Sequence, residues 1–142
     1  MGREETLPTR RVLIPASILI ADDDPNILRA LSFLMQREGH AVRTATDGAE
    51  ALQAIAAQSP DVLLLDVMMP RGNGYDVCRA LRASSDNDGI RIIMLTARGN
   101  DDERRAGLTL GADAYVTKPF AINDVVSCVA DALARGDVQG LP

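Results

Sequence analysis

Aromatic side chains are scarce in this sequence: it has no tryptophan, two tyrosines and two phenylalanines among 142 residues, so its core must pack mainly through aliphatic groups. Histidine is scarcer still. His40 stands alone, which rules out a Ser/His/Asp triad or a multi-histidine metal site built from one chain. It follows Gly39 and is expected as a solvated turn residue. The two cysteines, Cys78 and Cys128, have no CxxC or Cys/His ligand spacing and are expected as inert packing residues. Lys and Arg number 15 against 20 Asp and Glu, and no basic cluster offers a phosphate-backbone footprint, so direct nucleic-acid binding is not expected. Long hydrophobic runs are also missing. The apolar stretch from Val12 to Ala21 is short and broken by Pro15, and Met1 to Arg11 is too charged for a secretory signal. A reduced, cytoplasmic setting without membrane contact is expected.

Hydrophobic residues at 46% and charged residues at 25% are ordinary for one globular domain of this length. Short aliphatic runs alternate with longer helical patterns, the pattern of βαβ units closing on a parallel sheet. The first strand, Ile18 to Ala21, ends in Asp22-Asp23-Asp24 before Pro25, with Asp24 as the helix N-cap. Ile27, Leu28, Leu31, Leu34 and Met35 then mark one helical face, and Gly39 stops that helix. Ala41 to Ala45 reads as the second strand, and Asp47 with Glu50 as a capping box. Val62 to Asp66 has no polar alternation, so it belongs at the sheet centre with both faces covered. The Gly72-Asn73-Gly74 turn leads to a helix with Val77, Cys78 and Leu81 inward. Arg91 to Leu95 is the fourth strand. Asn100 and Glu103 suggest a capping box for the fourth helix, and Ala114 to Thr117 forms the fifth strand. Val125, Val126, Val129 and Leu133 line the last helix. Right-handed crossovers then give an open, doubly wound parallel sheet with helices on both faces. The folded domain is expected over 16–136, with a flexible extension over 1–15 and a tail over 137–142.

Open α/β sheets bind ligands at the carboxyl ends of their strands. Here those ends carry Asp22 and Asp23, Asp66, Thr96 and Lys118. Each has an ordinary explanation by itself, as a cap, a β-branched strand residue or a solvated end. Together, three carboxylates at one sheet edge repel one another and call for a compensating cation. A hard divalent ion such as Mg2+ takes oxygen ligands and commonly bridges carboxylate to phosphate, and with Lys118 it balances the three charges. A carboxylate is also a competent phosphoryl acceptor, which makes Asp66 the candidate nucleophile, while Asp24 before Pro25 reads as a cap.

Ile18-Leu19-Ile20-Ala21-Asp22-Asp23, Leu64-Leu65-Asp66 with Met69-Pro70, Met94-Leu95-Thr96-Ala97 and Tyr115-Val116-Thr117-Lys118-Pro119-Phe120 resemble, in order and spacing, the receiver domains of two-component response regulators. The resemblance covers about residues 17 to 135. It implies a flavodoxin-like sheet of order 2-1-3-4-5. It implies that Asp23 binds Mg2+ directly and Asp22 mainly through water, that Asp66 is phosphorylated, and that the Asp66 carboxylate and the Met68 carbonyl also touch the metal; Mn2+ can substitute. Lys118 and the Thr96 hydroxyl would contact the phosphoryl group, Tyr115 would swing inward with Thr96 as a switch, and the Lys118–Pro119 peptide would be cis. Met68 and Arg98, two residues beyond Asp66 and Thr96, resemble a pair that tunes hydrolysis.

A histidine kinase or histidine phosphotransfer protein would donate the phosphoryl group, and a downstream effector or output domain would read the surface of the fourth helix, fifth strand and fifth helix. Such a protein is not a conventional enzyme, since it catalyses only its own phosphorylation and dephosphorylation. Ala114 stands where members that dimerise through this surface often carry an acidic residue, which leaves that dimer open. The alternative is a phosphorylation-independent interaction module with the same fold, opposed by the joint presence of Asp22, Asp23, Asp66, Thr96 and Lys118. An aspartyl phosphohydrolase lacks its Asp-x-Asp arrangement here, and a nucleotide binder lacks its Gly-rich loop after the first strand.

Overall fold

The computed structural model describes residues 15–97, 105 and 108–140, with side chains described as far as 135. The chain runs β1 (Ser17–Ala21), α1 (Pro25–Arg37), β2 (Ala41–Ala45), α2 (Gly48–Ala57), β3 (Val62–Asp66), α3 (Gly74–Arg82), a 3-10 turn (Ser85–Asn87), β4 (Arg91–Thr96), β5 (Ala114–Thr117) and α4 (Ile122–Gly140). All strand pairings are parallel and the order is β2-β1-β3-β4-β5, as the resemblance implies. Between β4 and β5, Arg105, Leu108 and Thr109 are helical, while Asn100 and Glu103 lie outside the described residues. So do 1–14 of the expected extension. The backbone of 137–140, assigned to a tail from sequence, continues α4.

Each β-strand sends alternate side chains to opposite faces, and both faces are apolar at the sheet centre. Leu19, Leu63, Leu65, Ile92 and Met94 meet Ala51 and Ile55 of α2 and Val77, Cys78 and Leu81 of α3 in one buried cluster. Ile18, Ile20, Val62, Leu64, Ile93 and Leu95 meet Leu31, Leu34 and Met35 of α1 and Val125, Val129 and Ala132 of α4 in the other. Every residue of β3 is buried, as its unbroken apolar run requires. Edge strand β2 is far more exposed.

Caps set where the helices begin. Asp24 accepts the Asn26 N–H at 2.9 Å, with Pro25 in the first turn of α1. Asp47 accepts the Glu50 N–H at 2.7 Å. The return bond differs from the expected capping box: Glu50 Oε1 takes the N–H of Thr46, one residue before the cap, at 2.5 Å. Asn73, read from sequence only as part of a turn, caps α3 by accepting the Asp76 N–H at 3.0 Å.

At the amino ends of the strands, side chains complete the backbone bonding. Asp61 Oδ2 accepts the Ser17 N–H at 2.8 Å, and Asp113 Oδ2 accepts that of Ile92 at 2.8 Å. Arg82 donates from Nε to the Gly111 carbonyl at 2.9 Å, from Nη1 to that of Asn87 at 2.8 Å and from Nη2 to that of Ile90 at 2.7 Å, and it pairs with Asp113 at 3.2 Å. His40 is no freely solvated turn residue: it is half-buried and its Nδ1 accepts the Ala16 N–H at 3.2 Å. Burial lowers its pKa from 6.5, against the opposing charges of Glu38 and Asp61.

Candidate functional site

Parallel strands bring their carboxyl ends to one edge, and there the structure gathers residues distant in sequence. Asp22 follows β1, where its N–H is held by the Ala45 carbonyl at 3.1 Å. Its side chain is fully buried. Oδ1 accepts the Asp24 N–H at 2.9 Å and Oδ2 accepts Lys118 Nζ at 2.9 Å. Asp66 ends β3 almost completely buried, with Oδ1 3.3 Å from the same Nζ and 3.4 Å from the Met68 N–H that donates to it. Lys118 follows β5, and its own N–H donates to the Thr96 carbonyl at 2.6 Å. The Lys118–Pro119 peptide is cis. Asp23 is exposed at the mouth, and one carboxylate oxygen from each of Asp22, Asp23 and Asp66 lies within 4.8 Å of the others.

The electrostatics follow from this crowding. Burial first, and the negative charge of Asp22 second, push the Asp66 carboxyl up to about 6, with Lys118 pulling the other way. Burial disfavours the Lys118 ammonium, but the hydrogen bond to Asp22 and the charges of Asp66 and Asp22 outweigh it, so its pKa rises. Lysine therefore stays charged in the site. Donors consisting of oxygen atoms, with more negative than positive charge, suit a hard divalent cation.

Thr96 ends β4 and is buried. Tyr115 on β5 is half-buried against the α2/α3-side cluster, with its hydroxyl 3.5 Å from that of Tyr75 on α3. The Met68 side chain is strongly exposed beside Asp66, while Arg98 lies outside the described residues. Sequence reasoning missed the contact that holds the loop after β3. Arg71 Nε and Nη2 donate to Asp47 Oδ2 at 3.1 and 2.7 Å, a pairing across 24 positions that no local pattern announces. It also missed Tyr75, whose only sequence signal is an aromatic at the start of a helix.

A family model described as the response regulator receiver domain matches residues 18–130. The chain is 43% identical to a probable transcriptional regulatory protein, TcrX, of Mycobacterium tuberculosis over 87% of its own length and 52% of that protein. It is 45% identical to response regulator MprA of Mycobacterium ulcerans over 86% of its length and 52% of that protein. It thus spans about half the length of the curated relatives it matches. A putative response regulator from Chloroflexus aurantiacus superposes with a TM-score of 0.80 at 38% identity, covering 84% of this chain and 98% of that one. Among the described residues no helix is long and apolar enough to cross a membrane.

Proposed function

Because the chain belongs to the family of response regulator receiver domains of two-component systems, we propose that it takes a phosphoryl group onto Asp66 from a phosphohistidine of a histidine kinase or histidine phosphotransfer protein. One observation carries this reading: the Lys118 ammonium is shared between Asp22 and Asp66, with Asp23 beside them at the carboxyl edge of the sheet. A carboxylate oxygen of Asp66 attacks phosphorus, the P–N bond breaks with its electron pair going to the departing imidazole, and the new O–P bond leaves an aspartyl phosphate. Lys118 Nζ is in reach of the phosphoryl oxygens that then extend from Asp66. The Thr96 hydroxyl, at the end of the neighbouring strand, donates to another.

The donor set fits Mg2+, with Mn2+ as a substitute: Asp23 would bind it directly, Asp22 mainly through water, and the Asp66 carboxylate and Met68 carbonyl would complete the protein's share. Asp22 suits the indirect role because both its carboxylate oxygens already accept hydrogen bonds. When bound, the ion supplies positive charge that neutralises the carboxylates and the incoming phosphoryl oxygens. Phosphorylation draws Thr96 and Tyr115 inward together and changes the surface formed by the segment after β4, by β5 and by α4, which an output domain or effector reads. Met68 and Arg98, two positions beyond Asp66 and Thr96, would flank the phosphoryl group, offer no base to an attacking water and so slow its loss.

Acetyl phosphate with Mg2+ should add one phosphoryl group, measured by intact mass, and Asp66→Asn should abolish the addition because an amide is not a competent nucleophile. Labelling of the variant at another aspartate removes the assignment. A wild-type protein that accepts phosphate from neither acetyl phosphate nor any kinase is a phosphorylation-independent interaction module.

A further inference from the structure

The loop after β3 is held far from its own sequence neighbours. Val67 bonds back to the Leu95 carbonyl at 3.0 Å, and Gly74 to the Val67 carbonyl at 2.8 Å, which ties down the loop's two ends. Its middle is gripped by the start of α2. Arg71 Nε and Nη2 converge on Asp47 Oδ2, the Ala49 N–H donates to the Arg71 carbonyl at 3.2 Å, and the Gly48 N–H points at that of Pro70 at 3.5 Å. The two backbones are in direct contact, since a Cβ on Gly48 would lie 2.1 Å from the Gly72 oxygen.

Arg71 is the one non-glycine residue with a positive φ among those described, at 52°. A side chain in the left-handed region is disfavoured relative to glycine, and such outliers persist where surrounding contacts over-determine them. Here the contacts are the ion pair with Asp47 and the Ala49 N–H bond to the Arg71 carbonyl. Asp47 is buried, and the backbone bond from Glu50 and then the Arg71 guanidinium hold its carboxyl below the ordinary range. The Arg71 side chain is 75% exposed, so the pair contributes little to global stability. Its effect is local.

We infer that Asp47 and Arg71 are positioning residues, a clamp between α2 and the β3–α3 loop that fixes the Met68 backbone beside Asp66 and so sets the affinity of the site for a divalent cation. This rests on the proposed function, in which the Met68 carbonyl is a ligand. Met68 lies between two fixed points, Asp66 in β3 and the buried Met69 followed by the gripped Pro70–Arg71 segment. Releasing the second leaves the carbonyl anchored on one side.

Two substitutions separate the clamp from folding. Arg71→Gly removes the guanidinium and relieves the left-handed backbone, and Asp47→Asn keeps an equally good N-cap while removing the charge. Amide exchange over residues 67–73 in metal-free protein and Mg2+ affinity by calorimetry are measured for wild type, both single variants and the double variant. Each single variant should exchange faster in this loop and bind Mg2+ about 3- to 10-fold more weakly, below the usual loss for a partner that bonds a ligand directly. The double variant should be no worse than either single one, because both break the same contact. Unchanged exchange, unchanged Mg2+ affinity with faster exchange, or single effects that multiply in the double variant would each overturn the inference. If wild-type protein binds no Mg2+, the metal part of the proposed function fails, and loop exchange still decides whether the clamp exists.

Discussion

At the amino ends of the strands, Arg82 donates to three carbonyls and to Asp113, whose other bond goes to the Ile92 N–H. At the carboxyl ends, one ammonium is shared between Asp22 and Asp66, and Asp23 stands next to them. Both ends use charged side chains at the tips of the same parallel strands. One end matches donors to acceptors and closes the loops onto the sheet, while the other keeps carboxylates in excess. The contrast teaches where stability and where chemistry reside, because buried charge left unbalanced is costly unless a ligand completes it.

The largest effect should come from breaking the balanced end. Arg82→Ala strands the Asp113 carboxylate and three carbonyls, and we expect a loss of about 2–3 kcal/mol in chemical denaturation, less than for a fully buried pair because both side chains keep some water contact. A loss below about 1 kcal/mol would mean that water replaces the guanidinium easily and the two ends are less different than their geometry indicates.

Relieving the unbalanced end should act in the opposite direction. Asp66 has its carboxyl raised from 3.8 to about 6, so the folded state disfavours its ionised form, and the cost is complete above about 6 and vanishes as pH falls through 3.8. Metal-free Asp66→Asn should therefore be more stable than wild type at neutral pH, by about 1 kcal/mol, with the advantage disappearing in acid. Mg2+ should raise the melting temperature of wild type and narrow the gap. A less stable variant at neutral pH would show that the Lys118 contact outweighs the repulsion.

The smallest effect belongs to His40. Its lowered pKa means that the folded state binds the proton less readily than the unfolded chain, so its stabilising contribution is present above 6.5 and lost as pH falls toward the folded value. Protonation would also remove the acceptor for Ala16. The loss should be under about 1 kcal/mol and absent in His40→Asn. Because Asp66 titrates nearby with the opposite sign, the comparison is best made in an Asp66→Asn background, and equal pH profiles with and without His40 would assign the acid loss elsewhere.

What the sequence made legible was whatever repeats or ends locally. The unbroken Val62–Asp66 run placed β3 at the centre, and the strand-end positions of Asp22, Asp23, Asp66 and Lys118 foretold that these residues would share one edge. Arg82 carries no local signal of its role, since its acceptors at Asn87, Ile90 and Gly111 are backbone oxygens without any residue signature. The Asp47–Arg71 contact was hidden for a similar reason: Asp47 reads fully as a cap, and nothing in a cap reveals a second oxygen committed elsewhere. His40 was misjudged because its partner is the main chain of Ala16, a donor that every position supplies.

The contact between Lys118 and Asp22 spans 96 positions and joins the first strand to the residue following the last. β1, β3 and β4 all precede that lysine in the chain, so its ammonium can reach the carboxylates only once the last strand has been made. The pocket therefore gains its lysine only where β5 is docked on β4. A chain stalled, clipped or misfolded ahead of β5 carries Asp66 without Lys118, and on the proposed chemistry it is a poor acceptor.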